Sequence, residues 1–293
     1  MRVFVTGATG WVGSAVVQDL IAHGHEVLGM TRSDAGATAL EAAGARVHHG
    51  TLEDPDSLRR GAARADGVIH TAFSHDFSKF AESAQVEKQA IAALGAELEG
   101  SNRPLVVTSG VALLQHNGLA TEDDVPAGNF PRNPEDAAKA WASRGVRPSI
   151  IRLAPTTHGH GDHGFVPILI ALAREKGVAA YVGEGANRWP AVHRLDAAPL
   201  YRLALEHEVG GIYHAIAEEG VSFKAIAEVI GRRLNIPVVS ISPEEAAEHF
   251  GWFHMFAGID VPTSSAKTRA ALGWTPTHPK LLADLDHPAY FTV

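Results

Sequence analysis

The sequence predicts an α/β fold built on a doubly wound parallel sheet, and three observations carry that expectation. The chain opens MRVFVTGATGWVGSAVV, a short apolar run, then a loop with glycines at 7, 10 and 13, then a helical pattern. Strand-like runs alternate with helical patterns through the first half, as βαβ units in a parallel sheet require. A second strand-like run, 25–30, follows the first helix at the distance expected of such a unit.

Taken in order, Val3, Phe4 and Val5 suit a buried parallel strand over 2–6. A glycine lets the chain turn sharply out of that strand, and the others let backbone N–H groups and the next strand come close. Residues 14–22 suit a helix, whose N-terminus presents unpaired N–H groups and the positive end of its dipole. Further strands are expected at 45–48, 67–71, 104–108, 148–153 and 211–216, with helices at 56–63 and 82–98. Residues 156–193 break the alternation; they are rich in His, Gly and Pro and hold one helix, about 165–176. Ser222 is placed to cap a helix on which Phe223, Ile226, Ile230 and Leu234 recur at helical spacing. From Pro237 onward the pattern is mixed and irregular.

With 293 residues the chain suits one two-part domain or two small ones. Its 45% hydrophobic and 20% charged content fits a globular enzyme and not a disordered chain. A net charge of −8 gives no support for binding nucleic acid or an anionic membrane. There is no cysteine, which excludes disulfides, thiolate catalysis and cysteine metal sites. The first strand starts directly after Met1-Arg2, so no signal peptide is expected. The longest clean apolar run, 165–173, is too short to span a bilayer. The expected protein is soluble and cytoplasmic, a monomer or homodimer acting on a small molecule.

The glycine loop points to a dinucleotide. Its spacing is G-x-x-G-x-x-G and not G-x-G-x-x-G, but a strand precedes it and a helix follows it, which is the context that gives such a motif its meaning. The end of the second strand separates NAD from NADP: a carboxylate there binds the ribose 2′-hydroxyl, whereas a cation suits a 2′-phosphate. Thr31 takes the usual acidic position and Arg32 follows, which favours NADP; Asp34 is the alternative ribose partner.

Thr6-Gly7-x-x-Gly10-x-x-Gly13 resembles the extended and atypical short-chain dehydrogenase/reductase superfamily, including its epimerase/dehydratase group. Val68-Ile69-His70-Thr71-Ala72, Leu105-Val106-Val107-Thr108-Ser109-Gly110 and Ile150-Ile151-Arg152-Leu153-Ala154-Pro155 resemble its fourth, fifth and sixth strands. Val192-His193-Arg194-Leu195-Asp196-Ala197-Ala198 and Leu272-Gly273-Trp274-Thr275-Pro276 resemble further segments of extended members. The resemblance implies a Rossmann domain, 1–155 with 194–234, and a discontinuous substrate-binding lobe, 156–193 with 235–293. It implies cofactor contacts from Gly7, Thr9, Gly10, Trp11, Val12, Gly13, Thr31, Arg32, Leu52, Thr71, Ala72 and Pro155. It puts Ser109 at the catalytic serine position, and Phe73, His158, Phe165 and Trp189 on the substrate side.

The chain departs from that family at the Tyr-x-x-x-Lys pair. No tyrosine lies between Ser109 and the sixth strand, and the only lysine there is Lys139. The family's typical spacing puts Phe130 at the tyrosine position and Pro134 at the lysine position. A replacement proton donor has to come from Tyr181, His158, His193, His75 or Ser109, and Ser109 and His193 lead because the resemblance already puts a pocket beside them. His158-Gly159-His160-Gly161-Asp162-His163 also reads as the H-x-H-x-D-H metal motif of another hydrolase fold, but its βαβ context argues for no metal. The expected function is NADP-dependent hydride transfer to or from a small carbonyl or alcohol. The rivals are a non-catalytic NADP sensor and a nucleotide-sugar epimerase or dehydratase.

Overall fold

Seven parallel strands form the central sheet of the computed structural model, which describes residues 1–74, 76–114, 118–128 and 130–292. The first half supplies β1 (Arg2–Thr6), α1 (Trp11–Ala22), β2 (Glu26–Thr31), α2 (Asp34–Ala42), β3 (Arg46–His49), α3 (Pro55–Ala63) and β4 (Gly67–His70). It continues with α4 (Phe80–Leu98), β5 (Pro104–Gly110), α5 (Pro134–Lys139) and β6 (Arg147–Leu153). Then come β7 (Thr156–His158), α6 (Phe165–Lys176), β8 (Ala179–Val182), β9 (Arg188–His193), α7 (Arg194–Glu206) and β10 (Ile212–Ala215). The chain ends with β11 (Glu218–Ser222), α8 (Phe223–Leu234), β12 (Val238–Ile241), α9 (Pro243–Phe250), α10 (His254–Ala257), α11 (Ala266–Leu272) and α12 (Leu281–Leu285).

The sheet order is β10-β6-β5-β4-β1-β2-β3. The chain winds outward from β1 to β3, then crosses back to start again at β4, so the order reverses between β1 and β4. Ligands of open α/β sheets bind outside the carboxyl ends of the strands at that reversal. Alternate residues face opposite sides. Val3, Val5, Ile69, Val106 and Ile151 pack under α1 and α7, while Phe4, Val68, Leu105, Val107 and Ile150 pack under α3, α4 and α5.

The expected strands all form, within a residue or two at their ends. Helix α1 begins three residues earlier than expected, because Gly10 serves as its N-cap and the helix starts inside the glycine loop. Ser222 caps α8 as read from the sequence, its hydroxyl accepting from Ala225 N–H. Yet α8 does not pack on the sheet. Phe223, Ile226, Val229 and Ile230 enter a second core with Val166, Leu169, Trp189, Phe253 and Leu281. The expected grouping of 194–234 with the sheet therefore splits, with α7 and β10 on the sheet and α8 in the lobe. The tail beyond Pro237 is not irregular but contributes a strand and four short helices. Two small sheets, β11-β9-β7 and β12-β8, complete this part.

A buried ion network ties β6 to its neighbours. Arg152 is fully buried and donates from Nε and Nη2 to the Glu135 carboxylate at 2.7 and 2.9 Å. Its Nη1 lies 3.2 Å from His214 Nε2 on β10, and His214 Nδ1 lies 2.8 Å from Ser264 O. Burial works against the Glu135 charge, but Arg152 and Lys139 hold its carboxyl below the usual range. Removing one member of such a pair strands the other, so Arg152→Met lowers stability in urea unfolding by about 3–5 kcal/mol. Glu135→Leu combined with Arg152→Met costs much less, and equal losses in the two proteins would refute this account.

Candidate active site

The glycine loop occupies the reversal point. Gly7 has a φ of +67°, which favours glycine, and a Cβ there would sit 2.8 Å from the Ala72 backbone at the exit of β4. A Cβ on Gly13 would overlap Gly7 O, so α1 can start this close to β1 only with glycine at both places. Thr71 reinforces the contact, its hydroxyl donating to Thr6 O at 2.8 Å. The first turn of α1 carries no side-chain cap and no acidic residue. Side chains of Ser33, Asp54, Asn133, Ser222 and Ser242 cap other helices. The N–H groups of Trp11, Val12 and Gly13 have no intrahelical acceptor, so this end fits a pyrophosphate. Thr9 and Gly10 lie exposed beside it.

On the β2 side, Thr31 is buried and its hydroxyl lies 3.3 Å from Ser33 N. Ser33 caps α2. Arg32 is exposed and has no hydrogen bond or ion pair among the described residues. Leu52, just past β3, is partly buried against the core beneath α3 and α4. The end of β2 thus presents a cation and no carboxylate of its own, with Asp34 exposed in the first turn of α2.

The other half of the edge differs from the expectation. Ser109 is 2% exposed and donates to Glu135 Oε1 at 3.0 Å, so its hydroxyl belongs to the buried Arg152 network. Phe73 does not join Phe165 and Trp189 in one wall. It lies past β4, under the Arg132 guanidinium at 4.3 Å and against Phe80. Phe165 and Trp189 do come together, with Pro155, Ala112, Phe256, Ile259 and Val261, in a closely packed apolar cluster that leaves no room for a water molecule. Trp189 is also core, 1% exposed and packed on Phe223 at 5.0 Å.

His193 Nδ1 accepts from Leu195 N–H and caps α7, which leaves the ring proton on Nε2. Its ring stacks on His278 at 4.8 Å, and burial with the neighbouring His158 depresses it to about 4. His193 is therefore neutral at physiological pH. His158 is buried with Nδ1 2.8 Å from Asp284 Oδ2, an oxygen that also accepts from the Tyr290 hydroxyl. His158 and His160 both face the Asp284 carboxylate, His160 Nε2 lying 3.5 Å from Oδ1 with its ring stacked on His287, while His163 turns away to the Trp11 ring. Tyr181 packs beneath Lys224 in the lobe, and His75 lies outside the described residues.

Sequence reading weighed Asp162 only as part of that motif. Its carboxylate accepts from Gly164 N–H at 2.7 Å, and burial pushes its carboxyl up to about 6. Beside it Arg194 lies 4.2 Å over the Trp11 ring and donates to Trp11 O, while Trp11 Nε1 donates to Thr157 O. The signal was present: glycines at 159, 161 and 164 bracket one acid, and Gly159 and Gly161 take positive φ.

The family model described as the NAD dependent epimerase/dehydratase family matches residues 3–94. An uncharacterized protein of Schizosaccharomyces pombe is 54% identical over 99% of this chain and 100% of its own length. The 2-alkyl-3-oxoalkanoate reductase of Stenotrophomonas maltophilia is 28% identical, over 70% of this chain and 66% of its own. Among solved structures, the dTDP-glucose 4,6-dehydratase DesIV of Streptomyces venezuelae, with NAD bound, superposes with a TM-score of 0.78 at 20% identity. That match covers 99% of this chain and 97% of the other, and it shows a shared fold. No helix among the described residues is long and apolar enough to cross a membrane.

The titrating groups have opposite signs. His70 and His193, depressed to about 3 and about 4, make the fold lose stability as pH falls below about 6.5, where the unfolded chain takes up protons first. Asp162 is raised, so its contribution is present at low pH and lost as pH rises through about 6. Asp162→Asn keeps the acceptor for Gly164 N–H and removes the charge. It raises the melting temperature at pH 8 and leaves it nearly unchanged at pH 4; an equal gain at both would contradict the assignment.

Proposed function

The chain belongs to the NAD-dependent epimerase/dehydratase family, and on that premise we propose that it is an NADP-dependent oxidoreductase of small apolar carbonyls or alcohols. The observation that carries this reading is the pairing of an uncapped α1 N-terminus with an unpaired Arg32 at the end of β2. Helix N–H groups from Trp11, Val12 and Gly13 would hold the pyrophosphate. Arg32 would pair with the 2′-phosphate through its planar donors. When bound, the nicotinamide supplies or accepts the hydride.

The chain's own residues orient the reactants and manage the proton. Pro155, Phe165 and Trp189 form an apolar cluster just past the end of β6. That favours a small carbonyl over a nucleotide sugar. Ser109 and His193 serve as positioning groups in this reading, because the hydroxyl is committed to Glu135 and the imidazole is neutral. Asp162, on the loop between β7 and α6 beside Arg194 and Trp11, is the candidate for proton exchange, its carboxyl raised toward neutrality by burial. A sensor that binds NADP without turnover is the second reading, favoured by those same internal commitments of Ser109 and His193.

Arg32→Ala weakens NADPH binding by about tenfold to a hundredfold, the worth of a charge-assisted hydrogen bond, and leaves NADH binding unchanged. Fluorescence titration of both nucleotides measures this, and equal losses would remove the assignment of the 2′-phosphate. NADPH consumption across a panel of carbonyls separates the two readings: tight binding with no turnover identifies the sensor.

A further inference from the structure

Arg132 is a cation held rigidly at the carboxyl edge of the sheet. Its Nη2 donates to Thr108 O on β5 at 3.2 Å, and its guanidinium lies over Phe73, past the end of β4. It therefore spans the ends of two adjacent strands on the side of the reversal point away from β2. Glu87 of α4 fixes it there, accepting from Nε at 2.9 Å and Nη2 at 2.6 Å. The Glu87 side chain is 2% exposed and that of Arg132 is 13% exposed. Nη1 makes no hydrogen bond among the described residues, so its two N–H donors are left unused by them.

A second unmet group lies at the same strand end. His70, the last residue of β4, is fully buried with Nδ1 2.8 Å from Thr6 Oγ1, and its Nε2 has no hydrogen-bond partner among the described residues. Buried polar groups in native proteins nearly always have partners, so an orphan marks a place where a ligand or water belongs. The Glu87–Arg132 pair points the same way. Burying a carboxylate and a guanidinium costs several kcal/mol of desolvation per ion, and a stability gain is a weak reason to keep such a pair. Holding a planar set of donors in one orientation is a stronger one.

We propose that Arg132, aimed by Glu87, donates from Nη1 to an oxygen of the nicotinamide half of the bound dinucleotide. A dinucleotide crossing the reversal point lays one half over β2 and the other over β4 and β5. Arg32 stands at the first half and Arg132 at the second. The inference rests on the dinucleotide reading above. Arg132 is a binding and positioning residue, and it has no part in proton exchange.

The test uses the full chain in four forms: wild type, Arg132→Lys, Glu87→Gln, and Glu87→Gln combined with Arg132→Gln. The last removes both charges together, so no buried ion is stranded. Calorimetry measures affinity for NADPH and for 2′,5′-ADP, which contains only the adenosine half, and melting curves report the fold. The double variant loses tenfold or more in NADPH affinity, with 2′,5′-ADP affinity unchanged. Arg132→Lys, which keeps the charge but loses the planar fork, and Glu87→Gln, which loses the group that aims it, both fall between wild type and the double variant for NADPH. Unchanged NADPH binding in a folded double variant overturns the proposal, as does an equal loss of both ligands. Failure of the wild type to bind either ligand overturns the dinucleotide reading itself.

Discussion

Helix α1 starts within a few ångströms of β1 because Gly7 and Gly13 allow the two segments to touch, and that contact organises the edge of the sheet. Any side chain at Gly13 would overlap Gly7 O, and one at Gly7 would press on Ala72. The approach aims an uncapped helix end at the point where the strand order reverses. Free N–H groups, the helix dipole and the open end of the sheet then meet in one place. The loops after β2, β4 and β6 are functional candidates because they surround that place.

Two buried ion pairs brace the sheet beside it. Glu135–Arg152 joins α5, β6 and β10, and Glu87–Arg132 joins α4 to the segment before α5. They differ in what they leave over. Arg152 has all three of its nitrogens engaged, so the first pair closes on itself as a strut. Arg132 keeps one nitrogen without a hydrogen bond among the described residues. A closed pair fixes geometry, whereas an open one also offers donors.

The lobe is fastened to the glycine loop through side chains far apart in sequence. Trp11 reaches Thr157, His163 and Arg194, and Asp284 near the end of the chain holds His158 and Tyr290. These contacts place Asp162 where burial raises its carboxyl toward neutrality. They also take His158 and His193 out of solvent and keep His193 neutral. A chain with 17 histidines thus uses its central ones chiefly as hydrogen-bonding and stacking groups.

What the sequence determined by itself was local: apolar runs that must be buried strands, glycines that permit a close turn, Ser222 as a cap, and Arg32 where a carboxylate is usual. Each follows from a residue and its near neighbours, because backbone conformation and periodicity are short-range properties. Only the tertiary structure decided the rest. Ser109 met Glu135 across 26 positions, His193 met His278, and α8 left the sheet for the lobe. Sequence reading found no lysine at position 134, and the structure set Arg132 over Phe73 instead. Such pairings join residues tens of positions apart, and a side chain's protonation, exposure and free donors depend on which partner reaches it.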